Sequence, residues 1–84
     1  MTERTLTLYS TDACHLCEQA KGLVDEALRA YGDCRLEVVD VSEDDALFER
    51  YGWHIPVLRI DDAELFWPFD TGAVLWLLQR QRDA

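Results

Sequence analysis

The 84-residue chain is 49% hydrophobic and 30% charged, enough for one small domain, and a single domain over residues 1–84 is expected. Its 17 acids against 8 bases leave a net charge of −9, which excludes the basic footprint that nucleic acid or an anionic membrane surface needs. The longest apolar run, residues 73–78, is too short to span a bilayer, and the opening residues carry charge and no apolar stretch of a signal peptide, so a cytoplasmic location is expected.

Residues 4–9 alternate, with Leu6 and Leu8 on one face and Thr5, Thr7 and Tyr9 on the other, the period of a strand. From Leu16 the period changes: Ala20, Leu23, Val24, Ala27, Leu28 and Tyr31 follow at helical spacing, and Gly32 is expected to stop the helix. Lys21, Asp25 and Arg29 lie on its outer face at i, i+4 intervals. Residues 34–41 read as a second strand, Cys34, Leu36 and Val38 facing inward as core. Ser42 followed three residues later by Asp45 reads as a capping box, opening a short helix with Leu47, Phe48 and Tyr51 as its apolar stripe and Gly52 as its end. Residues 55–60 and 63–67 read as strands joined by a tight turn at Asp61 and Asp62. Asp70 or Thr71 caps a last helix running to about Arg82, with Arg80 and Arg82 suited to its negative end. The order is β-α-β-α-β-β-α, an α/β (α+β) domain in which a right-handed parallel β-α-β unit is extended by an antiparallel hairpin: a four-stranded mixed sheet flanked by three helices.

Cys14-His15-Leu16-Cys17 is a C-x-x-C motif at the junction of the first strand and first helix. One helical turn brings its two sulfurs together. The leading sulfur falls where unpaired N–H groups and the positive end of the helix dipole favour a thiolate. Asp12 and Glu18 flank the motif and oppose that effect, so a modest lowering of the Cys14 pKa is expected. Cys14 is therefore assigned the attack on a disulfide and Cys17, more sheltered, the resolution of the mixed disulfide. A structural zinc site needs four ligands and the chain offers no second C-x-x-C, so no metal is expected. The third cysteine, Cys34, reads as a small buried hydrophobe.

With residues 6–17, LTLYSTDACHLC, and His54-Ile55-Pro56-Val57-Leu58, the chain resembles the glutaredoxin branch of the thioredoxin superfamily, in particular its small bacterial glutaredoxin-like members. The resemblance implies a thioredoxin-like fold and a thiol–disulfide oxidoreductase acting on a disulfide-containing protein or a small-molecule thiol. The protein would be a monomer without a bound cofactor, with glutathione as a candidate co-substrate. It maps Pro56 onto a cis-proline beside the dithiol and Ile55 onto the residue whose backbone pairs with an incoming chain. His15 and His54 join them as substrate-side residues; His54 stands where the family has Thr and reads equally as tuning Cys14 or as structural. Asp70 reads either as a helix cap or as the receiver of a γ-glutamyl amine. Two departures concern glutathione: Ser10-Thr11-Asp12 supplies no basic residue before Cys14, and residues 67–72, WPFDTG, lack the family's Gly-Gly. The rival reading is a non-catalytic binding module with vestigial cysteines and an apolar rim at Trp53 and Phe69. Trp76 implies a deeply covered last helix or a partner.

Overall fold

The structure is a computed structural model and describes residues 4–12, 14–31 and 34–83, and nothing of the side chains of Tyr31 or residues 81–83. Gly32 and the Arg82 side chain, read above as helix-end features, lie outside what is described.

Strand β1 (Arg4–Ser10) leads to helix α1 (His15–Tyr31) and strand β2 (Cys34–Asp40). A 3-10 turn at Val41–Glu43 precedes helix α2 (Asp45–Tyr51); strands β3 (Val57–Ile60) and β4 (Ala63–Phe66) and helix α3 (Thr71–Asp83) complete the chain. The sheet order is β2-β1-β3-β4. β1 runs parallel to β2, with Leu6 level with Leu36, and antiparallel to β3, with Tyr9 level with Val57; β3 and β4 are antiparallel. This is the expected thioredoxin-like arrangement, a four-stranded mixed sheet with three helices. Among the described residues no helix is long and apolar enough to cross a membrane.

Alternation in the strands sends side chains to two separate cores. Leu6, Leu8, Leu58 and Ile60 meet Ala20, Val24 and Ala27 of α1 and Val74, Leu77 and Leu78 of α3. Tyr9 and Val57 point the other way and meet Val41 and Tyr51 beside α2. Cys34 is half-buried against the first core, and Lys21 pairs with Asp25 at 2.9 Å on the outer face of α1.

Local chemistry moves several boundaries. Asp44, not Ser42, caps α2: its carboxylate accepts from the amides of Ala46 (2.9 Å) and Leu47 (3.1 Å). Ser42 instead serves Asp40, giving its hydroxyl (2.6 Å) and amide (2.9 Å) to that carboxylate at the head of the 3-10 turn. These bonds hold the Asp40 carboxyl below its usual range. β3 begins at Val57 rather than Ile55, because the Ile55 N–H goes to the Tyr51 carbonyl and proline has no N–H for a ladder; the Ile55–Pro56 bond is cis. β4 ends at Phe66, one residue early, ahead of a second cis bond at Trp67–Pro68. Asp61 turns the hairpin at φ 51°, a left-handed position that aspartate tolerates.

The aromatic residues of the second half divide between core and surface. Phe69 is buried edge-on to Trp67, with ring centroids 5.2 Å apart, which removes it from any rim. Trp53 is 89% exposed, and Phe48, Phe66 and Trp76 are more than half exposed. Trp76 points outward under Arg80, while its neighbours Leu77 and Leu78 carry the helix contact.

Candidate functional site

Cys14 occupies the N-cap position of α1, its carbonyl accepting the first helical bond from Glu18 N–H at 3.1 Å. An oxygen-bearing side chain ordinarily caps a helix by accepting from the third helical amide. Here the Cys14 Sγ takes that place and accepts from the Cys17 N–H at 3.1 Å. The amide that satisfies the helix end is thus the one that would stabilise a Cys14 thiolate. Cys14 and Cys17 are joined in a disulfide, their Cα atoms 5.1 Å apart. Cys14 is half-buried and Cys17 is 5% exposed, the asymmetry expected of an attacking and a resolving thiol. His15 and Leu16 between them face solvent.

A groove of about 170 Å³ opens beside the disulfide, walled by Leu8, Ser10, Asp12, Glu18, Lys21 and Val38 among others. Val38, read from alternation as core, is 47% exposed because it stands at this opening. Sequence reasoning missed Ser10, Lys21 and Val38 as site residues; their only signal was position, one turn from Cys17 for Lys21 and the end of a strand for Ser10.

The other expected residues are brought together only in part. Tyr9 pairs with Val57, so the register carries the buried Pro56 level with Ser10, at the end of the sheet from which Thr11 and Asp12 lead to Cys14. The Ile55 N–H donates to the Tyr51 carbonyl at 3.1 Å and is therefore committed. The His54 ring lies edge-on to Phe66, with centroids 5.7 Å apart, and lines a different cavity, of about 270 Å³, with Arg50, Tyr51 and Glu64. His54 therefore does not share the groove of the sulfurs. Asp70 caps α3, its carboxylate accepting from the Ala73 amide at 2.8 Å.

That second cavity sits over a polar network. The Tyr51 hydroxyl donates to Glu64 at 2.5 Å and accepts from Arg59 at 3.5 Å, and its ring stacks on Tyr9 with centroids 4.2 Å apart. Burial, reinforced by Glu64, pushes the Tyr51 phenol above its ordinary pKa.

The sequence model of the glutaredoxin-like domain (DUF836) matches residues 5–79. No curated protein matches the chain. Among solved structures, the X-ray structure of protein XcR50 from X. campestris is similar at 42% identity and a TM-score of 0.71, covering 89% of this chain and 96% of that one. Protein Ne2328 from Nitrosomonas europaea is similar at 26% identity and a TM-score of 0.73, covering 88% and 89%. Thioredoxin 1 from Thermosipho africanus is similar in fold at 18% identity and a TM-score of 0.71, covering 94% of both chains.

Proposed function

The chain belongs to the glutaredoxin-like domain family (DUF836), and from that premise we propose that it is a thiol–disulfide oxidoreductase cycling Cys14 and Cys17 between dithiol and disulfide. The observation that carries the reading is the Cys17 amide on the Cys14 sulfur at the N-cap of α1, with the partner sulfur buried behind it. In the reduced protein the Cys14 thiolate attacks one sulfur of a disulfide R–S–S–R′. The substrate S–S bond breaks and R′S⁻ leaves, taking a proton from solvent. The Cys17 thiol then loses its proton and attacks the Cys14 sulfur, RS⁻ leaves, and the protein disulfide forms. Two electrons pass to the substrate, and two equivalents of a small thiol or one of a dithiol return the protein to its starting state.

An extended substrate segment docks at the Pro56 end of the sheet. With its N–H committed, Ile55 offers its carbonyl there, and His15 supplies a polar edge above the sulfurs. The cytoplasm, whose thiol pool keeps such a site reduced, is its proposed compartment. Glutathione is one candidate electron donor.

Alkylation of reduced protein against pH tests the reading. Cys14 is expected to react as a thiol more acidic than free cysteine, and Cys17→Ser is expected to accumulate a mixed disulfide on Cys14. A Cys14 no more acidic than free cysteine, together with no trapped adduct, would refute it.

A further inference from the structure

Three properties of the groove beside the dithiol bear on which disulfides enter it. Its wall carries two carboxylates, Asp12 and Glu18, both exposed. The one cation on that wall among the described residues, Lys21, is tied to Asp25 at 2.9 Å and so adds little net positive charge. Ser10 and Thr11 also line the groove, Ser10 at 8% exposure. Leu8 and Val38 give the wall an apolar stretch. An occupant that fits brings positive charge for the carboxylates and a short aliphatic stem for Val38.

Building on the oxidoreductase reading, we infer that the groove selects cationic disulfides, those whose cysteine is flanked by ammonium or guanidinium groups, with Asp12 and Glu18 as the selecting charges. The chain's net charge of −9 works in the same direction at longer range, drawing cations toward the surface. The carboxylates oppose the negative charge of the Cys14 thiolate, so they slow attack on every disulfide while favouring the cationic ones. The ratio of rates, rather than either rate alone, reads out the selection.

The test compares single-turnover oxidation of the reduced protein by cystamine, which carries two ammonium groups, and by dithiodiglycolate, which carries two carboxylates. Each rate is divided by that of the same disulfide with 2-mercaptoethanol, which removes the intrinsic reactivity of the probe. At about 10 mM salt the normalised ratio is expected to favour cystamine by roughly tenfold or more. At about 0.5 M salt it should fall to within about threefold. Asp12→Asn with Glu18→Gln should lower the low-salt ratio at least about threefold. Glu37→Gln with Asp62→Asn removes as much charge from β2 and from the hairpin turn at the far end of the sheet, and should lower it less. A ratio near one at low salt overturns the inference and leaves the oxidoreductase reading standing. An equal effect of the two double variants overturns the local assignment. Inertness to both probes, while 2-mercaptoethanol reacts, overturns the oxidoreductase reading and this inference with it.

Discussion

On the α1/α3 face of the sheet the buried side chains are aliphatic apart from Phe69, and two long helices share the contact. On the α2 face a seven-residue helix is held by four buried residues, and the contact turns on the Tyr9–Tyr51 stack and the Tyr51–Glu64 hydrogen bond. The first face is stabilised by area, spread over many interchangeable contacts. The second depends on a few groups in fixed geometry, since a helix of that length has little stability of its own. The dithiol sits at the head of α1, the helix of the face held by area, whereas the Ile55–Pro56 segment of the site is tied to the end of α2 through Tyr51.

Four substitutions would break or sharpen this contrast. Leu77→Ala, which opens a cavity in the α1/α3 core, is expected to cost about 2–5 kcal/mol by urea unfolding. A loss under about 1 kcal/mol would mean that this face is not held by area. Tyr51→Phe is expected to cost about 1–2 kcal/mol at pH 7, from loss of the hydroxyl that serves Glu64. The same variant has a pH signature. Burial, then Glu64, raises the Tyr51 pKa above its ordinary 10.0, so above that pH the unfolded chain loses the proton that the folded chain keeps. The stability from this group is full below about pH 10 and declines as pH rises through the folded value. Unfolding from pH 9 to 11 should therefore show a steeper alkaline loss in the parent than in Tyr51→Phe; parallel curves would remove Tyr51 from the account. Asp44→Ala deprives α2 of its cap and should cost about 1 kcal/mol, with hydrogen-exchange protection falling in α2 and not in α1. Gly22→Ala should stabilise by about 0.5–1 kcal/mol, because a Cβ at Gly22 would meet nothing within 4 Å and alanine favours a helix.

Much of the fold was legible because it rests on periodicity. Leu6 and Leu8 against Thr5 and Thr7, and Ala20, Val24 and Ala27 at helical spacing, placed β1 and α1 on their buried sides. The same logic failed at Val38 and Phe48. Alternation says which way a side chain points, whereas cover over it depends on where a neighbouring element stops. Ser42 was misread because serine and aspartate compete for the same amides: Asp44 reached those of Ala46 and Leu47, and Asp40 captured Ser42. At the site, the two cysteines and their unequal exposure could be read from spacing and position. That Cys14 would itself cap the helix was not read, although the residue type and the junction were both in view.

The order of elements, the dithiol and the acidic balance were written in the sequence, because helical and strand periods and formal charge are local properties. Tertiary structure alone decided that α2 would cover the Thr5/Thr7 face at Tyr9 and stack Tyr51 on it, that His54 would lie apart from the sulfurs, and that Ser10, Lys21 and Val38 would line one groove. Those outcomes depend on the register between β1 and β3 and on how far α2 reaches across the sheet, and both are set by packing between segments distant along the chain.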